Sequence, residues 1–99
     1  MDEKLYVITR TDLTQSQQAV QAGHALAEYL LMSEDTNEWG NGTLVYLKVK
    51  DEEELISLQK ALECGKVDHT LFREPDFGWQ LTAMASLGSN KHFERMSLL

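Results

Sequence analysis

Residues 5–31, LYVITRTDLTQSQQAVQAGHALAEYLL, decide the fold because they contain a strand and the helix that follows it. Residues 5–8 form a short apolar and β-branched run, which has the length and composition of a buried strand. Thr14 and Gln17 stand three residues apart, the spacing of a capping box, in which each side chain binds the other residue's backbone amide. We therefore predict that a helix begins just after Thr14.

Two sets of residues repeat along this helix at intervals of three and four. The predicted buried stripe consists of Ala19, Ala22, Leu26 and Leu30, with Tyr29 beside it. The predicted polar stripe on the opposite side consists of Gln17, Gln21, His24 and Glu28. His24 is a candidate catalytic residue because imidazole is the side chain best suited to moving a proton near neutral pH. The alternative is a solvated helix residue without a chemical role.

The rest of the chain predicts three more strands and a second helix. The strands are residues 43–50, 69–73 and 81–87, and the helix is capped by Asp51 and ends at Gly65. Residues 91–99 form either a short amphipathic helix or a tail. The sequence therefore predicts one α/β domain over residues 1–99, with a four-stranded mixed sheet, helices on both faces and the order β-α-β-α-β-β.

The first helix should begin at the carboxyl edge of the first strand, and residues 74–80, between the last two strands, could reach the same edge. In open α/β sheets this edge is where ligands usually bind. The segment contains the single proline, two carboxylates and two aromatic residues. This edge is therefore the predicted site.

Composition limits the partners and the compartment. The net charge is −7, which argues against strong nucleic-acid binding because such binders use lysine and arginine to neutralise phosphates. The lone cysteine, Cys64, predicts a reducing compartment and hence a cytoplasmic location. No apolar run is long enough for a membrane span, and the first residues do not form a secretory signal. No metal-ligand spacing or nucleotide loop is present, so we predict no metal and no cofactor.

Two motifs resemble those of the type II peptidyl-tRNA hydrolase family of archaea and eukaryotes. Arg10-Thr11-Asp12-Leu13 is similar to the family's Arg-x-Asp-Leu turn, and residues 19–25, AVQAGHA, are similar to its helix motif Ala-Ala-Gln-x-x-His-Ala. A weaker likeness continues through residues 39–42, WGNG. The resemblance covers roughly residues 4–88 and implies the family's fold and its reaction, hydrolysis of the ester that joins a peptide or N-blocked aminoacyl group to tRNA.

The resemblance also implies roles for individual residues. It places the family's catalytic histidine on His24 and its glutamine on Gln21. The aspartate that orients the histidine falls on Glu74, with Asp76 as a rival, and the threonine of the last strand falls on Thr82. The family's Gly-Lys pair is Ser16-Gln17 here, so Gln17 stands where the family has a cation. We therefore expect His24, Glu74 and Asp76 to be catalytic and Gln17, Gln21 and Thr82 to bind substrate.

Three functions remain open at this point. The first is a carboxylic-ester hydrolase acting on peptidyl-tRNA, which the histidine motif favours. The second is a non-catalytic module of the same fold that binds a protein or a small ligand around Trp39 and Trp79, which the acidic charge and the missing lysine favour. The third is a hydrolase of another ester or amide. Transfer RNA is the expected partner of the first function, a homodimer is open, and no membrane partner is expected.

Overall fold

Five strands form one mixed sheet in the computed structural model, which describes residues 3–33, 36–88 and 91–99. The elements in chain order are β1 (Lys4–Arg10), α1 (Gln15–Met32), α2 (Thr36–Trp39), β2 (Thr43–Val49), α3 (Glu52–Cys64), β3 (Thr70–Glu74), a 3₁₀ turn (Pro75–Phe77), β4 (Gln80–Leu87), α4 (Lys91–Glu94) and β5 (Ser97–Leu98). The sheet order is β3-β4-β1-β2-β5, with β1 parallel to β2 and the other pairs antiparallel. The predicted α/β domain with a mixed sheet is confirmed.

The predicted number of four strands is wrong, because β5 adds a fifth. It pairs with β2 through Leu47↔Leu98 and Lys48↔Ser97. A strand of two residues is too short for hydrophobic alternation to reveal it, and such a strand exists only because β2 offers an unpaired edge. The tail predicted as a helix or an irregular segment is therefore a short helix, α4, followed by an edge strand.

Helices cover both faces of the sheet, as predicted. On one face α1 packs against β1 and β4 through Val7, Ala22, Ala25 and Ala85, among others. On the other face α3 contributes Leu55 and Leu62 to a cluster with Ile8 and Met84. Phe93 of α4 completes this second cluster, 2% exposed and stacked on Tyr6 at a centroid distance of 4.6 Å. Within the described ranges no helix has both the length and the apolar character that crossing a membrane requires.

The capping predictions for both long helices are confirmed. Thr14 Oγ1 accepts from Gln17 N at 3.1 Å, and Gln17 Oε1 accepts from Thr14 N at 3.0 Å, which is a complete capping box. Asp51 Oδ1 accepts from Glu54 N at 3.0 Å at the start of α3, and Gly65 caps its end. The two helix starts are therefore fixed by local sequence.

The buried face of α1 differs from the predicted apolar stripe. Its buried residues are Gln21, Ala22, Ala25 and Tyr29. Leu30 is 40% exposed and Ala19 is exposed, so the expectation for both was wrong. The small side chains of Ala22 and Ala25 let the helix approach the sheet closely. The face of α1 that packs on the sheet therefore includes Gln21, and Leu30 lies outside it.

Strand β4 contains a β-bulge beside α1. Phe72 pairs with Ala83 and Arg73 pairs with Leu81, so Thr82 is an extra residue between two consecutive pairs. Leu81 and Met84 consequently share the α3 face although they are three residues apart, while Ala83 faces α1. A bulge of this kind re-aims one side chain without ending the strand. Here the re-aimed side chain is that of Thr82.

Candidate active site

The carboxyl end of β1 is joined to the segment that follows β3. Arg10 Nε and Nη2 donate to both carboxylate oxygens of Asp12, at 2.9 and 2.8 Å. Its Nη1 donates to Gln80 Oε1 at 2.8 Å and to the carbonyl of Leu81 at 3.1 Å. Residues 74–80 therefore lie at the edge where α1 begins, as predicted.

The ion pair between Arg10 and Asp12 shifts both ionisations. The hydrogen bond from Arg10 lowers the pKa of Asp12, and the bond to Asp12 raises the pKa of Arg10. Arg10 is 6% exposed in spite of its charge, because all its bonds go to acceptors at this edge. Arg10 is thus an organising residue of the edge and has little surface left to bind an anion.

A chain of hydrogen bonds links β4, α1 and the end of β3. Thr82 Oγ1 donates to Gln21 Oε1 at 2.6 Å, and Gln21 Nε2 donates to Glu74 Oε1 at 2.8 Å. Thr82 is fully buried and Gln21 is 2% exposed. Buried polar groups of this kind require partners, and each of these supplies one for the next. Three of the predicted site residues, Thr82, Gln21 and Glu74, are therefore brought together.

His24 lies one turn further along α1 than Gln21. Its ring stacks face to face on Phe72 of β3, with ring centroids 4.4 Å apart and planes 5° apart. Contact through the ring face leaves the ring edge, which carries Nδ1 and Nε2, without a hydrogen-bond partner in the described part of the chain. His24 is exposed to solvent. The side chain is thus fixed in orientation and open to a ligand.

Neither candidate carboxylate is hydrogen-bonded to His24 within the described residues. Glu74 uses Oε1 for Gln21, and its Oε2 lies 3.5 Å from the backbone N–H of Asp76. Asp76 itself is exposed on the 3₁₀ turn. Glu74 is therefore held next to the helix that bears His24, whereas Asp76 lies exposed on the 3₁₀ turn.

Gln17, predicted to bind substrate, is half-buried at the start of α1. Its Oε1 is committed to the capping box, which leaves its amide N–H groups available as donors. Phe72 was not singled out from the sequence. An aromatic residue in a β-strand is ordinary, and only the register of β3 against α1 places it under His24.

The two tryptophans lie at opposite ends of the sheet. Trp39 precedes β2, and its Nε1 donates to the carbonyl of Thr43 at 2.8 Å while its ring packs against the α1-side core. Trp79 follows β3 at the other end and is 63% exposed. A single binding surface around both, as the second function supposed, is therefore not formed.

Metal-ligand geometry is not found in the described ranges. No group of three or more histidine, cysteine, aspartate or glutamate side chains there is placed to hold an ion. The polar atoms of the site instead bond to one another through the chain from Thr82 to Glu74.

Comparison with known families identifies the class of protein. The profile of the family described as peptidyl-tRNA hydrolase PTH2 matches residues 3–87. The match spans most of the chain, and the protein belongs to the peptidyl-tRNA hydrolase PTH2 family. The resemblance seen in the sequence is thereby confirmed.

Other comparisons are less informative about activity. No curated protein matches this chain. One similar solved structure is that of Atu0240, a protein of unknown function from Agrobacterium tumefaciens strain C58, with a TM-score of 0.72 and 15% sequence identity. The alignment covers 100% of this chain and 98% of that chain. At this identity the likeness establishes the fold alone.

Proposed function

We propose that this protein hydrolyses the carboxylic ester that joins a peptide or N-blocked aminoacyl group to tRNA. Membership of the PTH2 family supports the substrate class. The observation that carries the proposal is the chain Thr82–Gln21–Glu74, which holds a carboxylate beside the helix turn that exposes His24. The chemistry is concentrated at the carboxyl edge of the sheet, the usual place for a ligand.

His24 is the proton-handling residue in this proposal. Ester hydrolysis needs a base that activates water and later returns the proton to the leaving hydroxyl group. An imidazole fixed by stacking on Phe72, with its nitrogens on an open edge, meets the geometric part of this requirement. Glu74 is the carboxylate that we assign to stabilise the imidazolium, because Gln21 holds it near α1; Asp76 is the alternative.

Gln21 and Thr82 position the reacting groups. The amide of Gln21 accepts from Thr82 and donates to Glu74, which fixes the orientation of both its ends. A fixed donor or acceptor costs no reorganisation when charge develops on the ester oxygen. Gln17, with its amide N–H groups left over from the capping box, is the proposed contact to a phosphate or carbonyl of the substrate.

The test is hydrolysis of N-acetylated aminoacyl-tRNA at low salt. We expect His24→Ala to lower kcat/KM by about 10²–10⁴-fold, the range for loss of a general acid–base group, with little change in Tm because the residue is exposed. His69→Ala is the matched control, because His69 lies away from the site and bonds to the carbonyl of Val67. Cleavage that survives His24→Ala at the wild-type rate would refute the assignment.

A second candidate is a non-catalytic binding module of the same fold. Two observations favour it: the net charge of −7, and the use of Gln17 in the capping box at the position where the family has a lysine. Glutamine cannot replace the lost cation at a phosphate site. Wild-type protein that neither binds N-acetylated aminoacyl-tRNA in a filter assay nor cleaves it would favour this candidate.

A further inference from the structure

Trp79 combines an exposed side chain with an unfavourable backbone. Its φ is +65°, in the left-handed region, and it directly follows Gly78, which has the same φ. A bulky residue rarely adopts this conformation, because its Cβ approaches the backbone closely. The indole is 63% exposed, so burial does not compensate for the strain. Strain of this kind that persists on a surface points to a function of the side chain.

The turn that carries Trp79 is rigid and shares a residue with the candidate active site. Trp79 N donates to the carbonyl of Glu74 at 2.9 Å, and Gly78 N donates to that of Pro75 at 3.2 Å. Arg73 Nη1 donates to the carbonyl of Trp79 at 3.3 Å. Glu74, whose carboxylate binds Gln21, is thus both a site residue and an anchor of the turn.

We propose that Trp79 is a stacking platform for an unpaired nucleobase of the single-stranded tRNA end that bears the ester. This inference rests on the proposed function, because the substrate supplies the nucleobase. An exposed indole can stack on any of the bases, since every base has a π-face. The site would therefore hold the substrate through its terminal region, while the residues around Gln21 face the ester.

An isolated ring suits a nucleobase better than a protein partner. A stable protein interface buries about 800 Å² on each side, far more than one indole offers. The other exposed large apolar side chains of the described ranges lie on other elements: Val20, Leu30, Leu31 and Met32 on α1, Leu44 on β2, and Leu98 and Leu99 at the end of the chain. A single planar ring on a fixed support therefore matches a single planar ligand.

The charges around Trp79 predict how the binding should respond to salt. Arg73 is an exposed cation beside the turn, whereas Glu74 and Asp76 place carboxylates on it. One neutralised phosphate on a single strand gives a slope of about −0.7 in log K against log salt. We expect a slope no steeper than this, because stacking and not ion pairing supplies the binding.

Tryptophan fluorescence tests the inference without relying on hydrolysis. Trp39→Phe leaves Trp79 as the only tryptophan, and Trp79→Phe leaves only Trp39 as the matched control. We expect adenosine monophosphate and a short single-stranded RNA to quench the first variant saturably and the second not at all. Ribose 5-phosphate, which lacks a base, should quench neither. Absence of saturable quenching in the Trp39→Phe protein would overturn the inference.

Substitution of Trp79 itself gives the second readout. Trp79→Asn should weaken RNA binding about tenfold to a hundredfold, the range for loss of one stacked base. Its Tm should be no lower than that of the wild type, because asparagine tolerates the left-handed conformation. Hydrolysis without base quenching would refute stacking and leave the hydrolase intact, and quenching without hydrolysis would support stacking and refute the proposed reaction. Unchanged RNA binding in Trp79→Asn would also overturn the inference.

Discussion

Thr82→Val removes one hydroxyl group from the buried chain between β4 and β3 while preserving the shape of the side chain. Thr82 is fully buried, and its Oγ1 donates to Gln21 Oε1 at 2.6 Å, with the carbonyl of Phe72 as a more distant neighbour at 3.3 Å. Gln21 is 2% exposed, so water cannot replace the lost donor at its carbonyl oxygen. The variant therefore leaves a buried acceptor without a partner.

The expected cost is about 2 kcal/mol in the free energy of unfolding. Leaving a buried acceptor unsatisfied costs roughly 1–3 kcal/mol, more than the net value of the bond, because the group stays desolvated. For a domain of this size about 2 kcal/mol lowers Tm by roughly 10 °C. Gln21→Leu in the Thr82→Val background removes the orphaned acceptor, so the double variant should lose less stability than the sum of the two single losses.

Thr70→Val is the matched control for this substitution. Thr70 lies on β3 with its hydroxyl oxygen buried, and that atom has no hydrogen-bond partner in the described part of the structure. The same chemical change should therefore be neutral or stabilising there, since an unsatisfied buried hydroxyl group is replaced by an apolar one. Urea and thermal unfolding of both variants measure the difference. Equal losses for Thr82→Val and Thr70→Val would refute the argument from the Gln21 bond.

Three further predictions concern stability. Phe93→Ala should cost about 3–5 kcal/mol in unfolding free energy, measured by urea denaturation, because the ring is 2% exposed and stacked in the core; a loss below 1 kcal/mol would contradict its core role. Asp12→Asn should cost at most about 1 kcal/mol at pH 7, because solvent screens this half-exposed pair. Since Arg10 lowers the pKa of Asp12, that stabilisation is present above the unfolded-state pKa and is lost as pH falls through the folded one; a difference that persists at pH 2 would contradict the assignment. Burial raises the pKa of Tyr29, so the unfolded chain ionises first, and the urea midpoint should fall above about pH 10 in the wild type more than in Tyr29→Phe; parallel curves would contradict this.

The sequence predicted those features that neighbouring residues determine. The capping box at Thr14 and the N-cap at Asp51 need only residues three positions away, and both are present. The strand predicted at residues 43–50 is observed as β2, because apolar and polar residues that alternate along one strand are a local pattern. The arrival of residues 74–80 at the start of α1 followed from strand direction and the handedness of the connections.

The predictions that were wrong, and the contacts that were not predicted, depend on residues far apart in the sequence. Gln21 was expected on the outer side of α1 because glutamine is polar, yet it is buried since Thr82 and Glu74, 61 and 53 residues away in sequence, satisfy its amide. Phe93 gave no signal because α4 has only four residues. The contact of His24 with Phe72 likewise requires the register of two elements that no local pattern reports.

The bulge at Thr82 has a consequence for how relatives are compared. Deleting that one residue would return β4 to regular pairing, keep Leu81 on the α3 side, and remove the hydroxyl group that donates to Gln21. A deletion of one codon would thus remove one hydrogen bond of the candidate site while the sheet keeps its strands. A relative whose strand is one residue shorter at this point would therefore keep the fold and lose the donor to Gln21, so the length of this strand bears on the reaction as well as its residues.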